Sequence, residues 1–288
     1  MSGQLGAAAA GTTKIGDREV RRLGFGAMRL TGAGIWGPHS DPAGCRAVLR
    51  RAVELGVTFI DTADSYGPAV SEEFIAEALA PYPPDLVVAT KGGLLRDGPG
   101  QWRPDGRPAH LRQACEASLR RLRLDQIPLY QLHRPDPTVP LEESVGALAQ
   151  LQVDGKITHI GLCNVDAEEL SRARAVAPIV SVQNRYNLAD RASEEVLEVC
   201  QEQGLAFIPW FPLASGELAD GGVAVDAVAR THGVAPAAVA LAWLLARSPV
   251  MLPIPGTASL AHLEENVAAS GLILSASELD VIEASAAR

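Results

Sequence analysis

Six polar or aromatic side chains fall at the ends of apolar runs. FIDTADSYGP, residues 59–68, sets Asp61, Asp64 and Tyr66 in a turn straight after such a run, and VVATKGG ends another on Lys91. LYQLHRPDP reaches His133, and three further runs end near Asn164, Gln183 and Trp210. Singly, each residue has a structural use. The aspartates can cap a turn, the lysine can sit in solvent, and the histidine can hold a carbonyl. The amides can satisfy loop backbone, and the indole can cover a rim.

Together the types suit one reaction. A tyrosine hydroxyl has an ordinary pKa near ~10, too high for efficient proton exchange at neutral pH. A lysine ammonium beside it favours the phenolate, and a carboxylate such as Asp61 keeps that lysine charged and in place. An imidazole can orient a carbonyl oxygen. Such a set would donate a proton to a carbonyl oxygen while hydride arrives at the carbon. The expected fall of about 2 to 3 units in the tyrosine pKa corresponds to roughly 3 to 4 kcal/mol of differential stabilisation.

Something must bring these residues to one place. Strands are expected over 23–28, 57–63, 86–91, 127–133, 158–164, 179–186, 205–211 and 250–255, most of them continuous apolar runs that suit burial on both faces. Helical segments alternate with them. Asp41-Pro42 is an N-cap with proline at the first helical position, ahead of the stripe Cys45, Val48, Leu49, Ala52. Asp166 with Glu169 reads as a capping-box variant. Eight such units in 288 residues favour one (β/α)8 TIM barrel. The rival doubly wound sheet lacks its GxGxxG fingerprint, since Gly24-Phe25-Gly26 is too short. In a barrel the strand ends named above share one mouth. Residues 1–20 are expected to be a flexible Gly/Ala-rich tail and short lead-in, and 21–288 the single barrel domain. The irregular stretch 91–108, rich in Gly, Pro and Arg, is expected to be a functional loop.

Composition narrows the class. A hydrophobic content of 47% with 20% charged residues describes a globular protein with a large core. The net charge of −9 argues against nucleic acid and anionic membrane as partners. No run is long and apolar enough to span a bilayer, and the start is a poor signal peptide, so a cytoplasmic protein is expected. Cys45, Cys115, Cys163 and Cys200 are widely spaced and expected to be reduced and mostly buried, and no Cys/His spacing suggests a metal.

The chain resembles the aldo-keto reductases, NAD(P)H-dependent carbonyl reductases on a (β/α)8 barrel. The resemblance runs from about residue 23 to 266, through FIDTADSYG, VVATKGG, LYQLHRPDP, HIGLCN, VSVQNRYN, PWFPLASG and IPGTASLAHLEEN. It implies a catalytic tetrad of Asp61, Tyr66, Lys91 and His133, with Tyr66 as general acid in reduction and base in oxidation. Asn164 and Gln183 match the pair that binds the nicotinamide carboxamide, and Trp210 the aromatic that stacks on the ring. Phe211, Pro212, Leu213, Ser215 and Gly216 match the loop over the pyrophosphate. Gly256, Thr257, Ser259, Glu265 and Asn266 match the adenosine-phosphate site.

Two features depart from the family pattern. Gly256 and His262 stand where many relatives carry Lys and Arg for the 2′-phosphate, which leaves NAD(H) open beside the NADP(H) that the resemblance implies. Cys163 replaces a serine that commonly helps bind the carboxamide, and it is not carried over as a ligand. The IPGT form resembles a bacterial branch similar to pyridoxal reductases, which implies pyridoxal or another aromatic aldehyde as the small carbonyl substrate. Trp36, Trp102 and Arg134 are the candidate substrate contacts. A monomer or small homo-oligomer is expected. Two other classes stay open on the sequence: a nicotinamide-binding sensor that turns over weakly, and a metal-dependent barrel hydrolase or lyase.

Overall fold

The structure, a computed structural model, describes residues 6–213 and 222–286. Seven parallel strands lie side by side in the order β11-β10-β9-β8-β5-β4-β3. They are β3 (Phe25–Gly26), β4 (Phe59–Asp61), β5 (Val87–Gly92), β8 (Ile127–Leu132), β9 (Ile157–Cys163), β10 (Ile179–Gln183) and β11 (Ala206–Phe207).

Residues 250–255 close the ring. On one side Phe207 N–H donates to Val250 O at 3.0 Å, and Leu252 N–H donates to Phe207 O at 2.8 Å. On the other, Gly24 N–H donates to Pro253 O at 3.0 Å, and Gly26 N–H to Pro255 O at 3.4 Å. Pro253 and Pro255 have no N–H to return, so this eighth member is a run of bridging contacts rather than a regular strand. Gly26 lets the two backbones meet, since a Cβ there would stand 2.6 Å from Ile254 O. The (β/α)8 barrel expected from the alternating pattern is thereby complete, with most strands shorter than their apolar runs.

The outer ring carries α1 (Pro42–Glu54), α2 (Val70–Leu79), α3 (Pro108–Leu122), α4 (Leu141–Val153), α5 (Ala167–Arg174) and α6 (Glu194–Gln203). It continues with α7 (Gly222–His232), α8 (Pro236–Arg247), α9 (Leu260–Ala268) and α10 (Ala276–Ala286). The N-terminus of α1 is fixed as its sequence indicates: Asp41 accepts from Gly44 N–H, and the stripe Cys45, Val48, Leu49, Ala52 is buried. Asp166 and Glu169 form a full capping box on α5. A buried carboxylate joins two helices to the barrel, with Glu72 of α2 accepting from Thr90 Oγ1 at 2.6 Å and from Arg121 Nε of α3 at 2.5 Å.

Strand alternation divides the barrel interior into two layers. The lower layer is apolar: Phe59, Val87, Ala89, Leu129, Ala206, Ile208, Leu252 and Ile254 pack together. Two residues further along the same strands, the inward positions turn polar at Asp61, Lys91 and Gln131, all buried.

Two segments differ from the sequence expectation. Residues 7–21 are ordered, as a 3₁₀ turn (Ala7–Ala10) and an antiparallel hairpin of β1 (Thr12–Ile15) and β2 (Arg18–Arg21). Ile15 and Val20 of this hairpin join the lower layer. Burial of these two side chains, rather than any strong local pattern, turns a Gly/Ala-rich start into the floor of the barrel. The stretch 91–108 holds a second antiparallel hairpin, β6 (Leu94–Gly98) with β7 (Gln101–Pro104), where an irregular loop is expected. If the first hairpin is the barrel floor, Ile15→Ala should cost about 2 to 5 kcal/mol of unfolding free energy in urea titrations. A loss below about 0.5 kcal/mol would show that the hairpin only lies against the barrel.

Candidate active site

Lys91 ends the inward-facing row of β5, and its ammonium has two partners. Nζ donates to Asp61 Oδ2 at 2.6 Å and to Thr62 O at 2.8 Å. The other oxygen, Asp61 Oδ1, accepts from Gln131 Nε2 at 3.0 Å and Gln183 Nε2 at 2.8 Å. Both oxygens of a fully enclosed carboxylate are thus satisfied, as burial of a charge requires. Burial pulls the Lys91 pKa down, but the charge of Asp61, with the hydrogen bond to it, outweighs burial and holds the value above that of an ordinary lysine.

The turn after β4 places Tyr66 over this pair. Tyr66 N–H donates to Ala63 O at 3.2 Å, Asp64 N–H donates to Lys91 O at 3.2 Å, and Lys91 Nζ lies 5.2 Å from the phenol centroid. Burial raises the Tyr66 pKa, and although Lys91 opposes it the value is pushed up to about 12. This corrects the sequence expectation of a lowered phenol pKa. The site is so dry that desolvation of the phenolate exceeds the attraction of the ammonium, and the hydroxyl keeps its proton at neutral pH.

His133 stands across from Tyr66, their rings edge to face with centroids 5.8 Å apart. Burial, together with the charges of Lys91 and Arg134, holds the imidazole pKa well below its usual range, so the ring is neutral. Ser65 Oγ lies 3.3 Å from Nδ1. With Ser65 donating, Nε2 carries the ring proton.

Two amides and an indole adjoin this group. Asn164, in the left-handed conformation at φ 59°, turns the chain off β9. Its Nδ2 donates to His133 O at 3.0 Å, and its Oδ1 accepts from Trp210 Nε1 at 3.0 Å, which fixes the indole. Gln183 Nε2 donates to Asp61 Oδ1 and also to Gln131 Oε1, the latter at 3.3 Å, so its carbonyl oxygen is the group left to receive an external donor. Cys163 Sγ lies 3.6 Å from Gln131 Oε1, facing the protein network. Phe211 has a positive φ of 63° and follows Trp210, with Pro212 buried and Leu213 half-buried. Ser215 and Gly216 lie outside the described residues.

Gly256 follows the closing segment, and a Cβ there would stand 2.4 Å from Gly26 O. Thr257 Oγ1 accepts from Ser259 N–H at 3.0 Å, and Ser259 caps α9. Ser259 Oγ takes the His262 amide, which leaves those of Leu260 and Ala261 at the start of α9 without intrahelical acceptors. Asn266 of that helix is buried and Glu265 exposed. Trp102 of β7 lies edge-on to His133 at 6.5 Å between centroids, Trp36 pairs its backbone with Gly67, and Arg134 is exposed beside His133. Among the described residues, no group of three or more His, Cys, Asp or Glu is placed to hold a metal ion. No single helix among them is long and apolar enough to cross a membrane.

The profile of the Aldo/keto reductase family matches residues 22–287. The chain belongs to the aldo/keto reductase family. It is 43% identical over 278 residues to pyridoxine 4-dehydrogenase of Escherichia coli, covering 94% of this chain and 97% of that protein. An uncharacterized oxidoreductase of Schizosaccharomyces pombe is 52% identical over 274 residues, covering 95% and 89%. The structure of an aldo-keto reductase from Klebsiella pneumoniae in complex with NADPH superposes with a TM-score of 0.81 at 30% identity, covering 95% and 94%. As a member of this family the chain is an oxidoreductase on a (β/α)8 barrel.

Sequence reasoning passes over three residues of this aldo/keto reductase's mouth: Gln131, Ser65 and Arg96. Gln131 had a signal, since it shares an inward row with Leu129 and His133. Ser65 and Arg96 had none, because their partners come from distant segments.

The depressed His133 pKa has a stability consequence. Below about 6.5 the unfolded imidazole takes up a proton that the folded one refuses, so stability is lost as pH falls. Urea titrations of the protein and His133→Gln should diverge by about 1.4 kcal/mol for each pH unit below that point. Parallel pH profiles would mean that His133 accepts a proton in the folded state.

Proposed function

We propose that the protein reversibly reduces an aldehyde or ketone to the alcohol, with NADP(H) as the preferred cofactor. The observation that carries this reading is the buried Lys91–Asp61 ion pair set beneath the Tyr66 phenol and facing a neutral His133. The residues present suit the cofactor. Gln183 keeps a free carbonyl oxygen for the carboxamide N–H, and Asn164 holds the Trp210 indole as a fixed face for the ring. Phe211, Pro212, Leu213, Ser215 and Gly216 would cover the pyrophosphate, and the amides at the start of α9 with Thr257 and Ser259 would take the adenosine phosphate. Glu265 and Asn266 would meet the adenine. When bound, the cofactor supplies the hydride.

The chain supplies the proton. His133 Nε2–H orients the carbonyl oxygen and polarises it without adding a competing charge. As negative charge grows on that oxygen, the Tyr66 hydroxyl gives it a proton, and the phenolate left behind is stabilised by Lys91. A phenol that stays protonated to about pH 12 before the reaction is ready as an acid throughout the neutral range. Asp61 keeps Lys91 charged, and Gln131 and Gln183 keep Asp61 aimed. In oxidation the phenolate takes the proton back.

Pyridoxal or a similar aromatic aldehyde is the substrate we favour, with Trp36, Trp102 and Arg134 lining the approach. Its support is the similarity to pyridoxine 4-dehydrogenase and the indole beside His133. Two variants separate the roles in the Tyr66 turn. Tyr66→Phe should lower NADPH-dependent reduction of benzaldehyde or pyridoxal, followed at 340 nm, by about 10²- to 10⁴-fold while NADPH affinity holds. Asp64→Asn should cost far less activity, and it should gain stability relative to the parent as pH rises towards 8. Burial and the neighbouring charge of Glu72 raise the Asp64 pKa to about 8, so the folded state favours the protonated acid that asparagine resembles. Full activity in Tyr66→Phe, or greater damage from Asp64→Asn, would overturn these assignments.

A further inference from the structure

The β6–β7 hairpin carries a cation whose donors are spent on backbone. Arg96 Nη1 donates to Ile35 O at 2.7 Å and Ser65 O at 3.2 Å, and Nη2 to Gly34 O at 2.8 Å and Gly98 O at 3.3 Å. Its fifth N–H, on Nε, is buried without a partner. Among the described residues it pairs with no carboxylate. Instead its Cζ lies 3.7 Å from the Trp102 ring centroid and 5.6 Å from that of Trp36. Arg96 and Trp102 face each other across the hairpin as register partners.

Two segments remote in sequence converge with the hairpin on this one guanidinium. Gly34 and Ile35 belong to the loop before α1, Ser65 to the turn that carries Tyr66, and Gly98 to the hairpin itself. A two-stranded hairpin is marginal alone, and Trp102 is 36% exposed, so its indole needs something to hold it. The planar fork of arginine can bond four carbonyls while lying flat on a ring, which lysine cannot do.

We propose that Arg96 determines substrate specificity: stacked on Trp102, it holds that indole as a rigid wall beside His133, so the pocket selects flat aromatic aldehydes over short aliphatic ones. The inference rests on the carbonyl-reductase reading above and refines its substrate class. A ring whose carbonyl oxygen reaches His133 and Tyr66 lies next to the Trp102 edge, where aromatic contact adds to simple burial. A short aliphatic aldehyde reaches the same two donors with little contact to the indole. Arg96 touches no reacting atom, so its effect belongs in the binding of the aromatic group.

The test compares the parent protein, Arg96→Met and Arg96→Lys with NADPH and either benzaldehyde or butanal. Calorimetric titration with benzamide in the presence of NADP⁺ adds a flat carbonyl compound whose binding is read without turnover. In Arg96→Met the benzaldehyde-to-butanal ratio of kcat/KM should fall about tenfold, mainly through a higher KM for benzaldehyde. The benzamide Kd should rise by a similar factor, and Arg96→Lys should restore neither. Equal losses for both aldehydes, an unaltered ratio, or an unaltered benzamide Kd would overturn the proposal. If the parent reduces neither aldehyde yet benzamide binding still weakens in Arg96→Met, the reductase reading fails and the aromatic wall stands.

Discussion

A lysine and an aspartate, both shut away from water at the top of the barrel, face each other at 2.6 Å, and the mouth is arranged around keeping them there. Moving two such charges out of water costs several kcal/mol each, and their attraction offsets that only if the remaining hydrogen-bonding capacity is used. Here it is. Thr62 O takes a second donor of Lys91, and Gln131 and Gln183 bond the far oxygen of Asp61. Removing either ion would leave the other buried and uncompensated. The ion pair therefore constrains which residues can stand at the ends of four different strands.

The barrel makes that arrangement affordable by separating its interior. Below the polar layer, Phe59, Ala89 and Leu129 occupy the same strands as Asp61, Lys91 and Gln131, two residues earlier, and the hairpin residues Ile15 and Val20 fill the floor. Space for the polar layer depends on Gly161 of β9, where a Cβ would stand 2.5 Å from Ser181 Oγ and 3.0 Å from Gln131 Cγ. The dryness that this packing produces has two opposite effects on the titrating groups. It keeps the Tyr66 phenol protonated and the His133 imidazole neutral, while Lys91 stays charged because Asp61 lies against it.

Much of this was legible in the chain. Apolar runs mark seven regular strands and the irregular closing segment, and the polar endings of three of them mark Asp61, Lys91 and His133. Local chemistry also fixed the ends of α1 and α5, where aspartate caps act within three residues. What sequence could not show depends on contacts between distant segments. Ile15 and Val20 are two apolar residues in a bland stretch, and only the barrel floor makes them a hairpin. Arg96 meets carbonyls 61 and 62 residues away. The raised Tyr66 pKa is hidden from the sequence, because a neighbouring lysine can be read there whereas the depth of burial cannot.

The proposed mechanism turns on the Lys91 ammonium, held by Asp61, stabilising negative charge on Tyr66 as the proton leaves. Its most direct measurement is the single-turnover rate of benzaldehyde reduction by Lys91→Met preloaded with NADPH, beside the NADPH dissociation constant. The rate should fall by about 10²-fold or more with affinity for NADPH little altered, since the lost interaction forms in the transition state. A rate within a few-fold of the parent protein would contradict it.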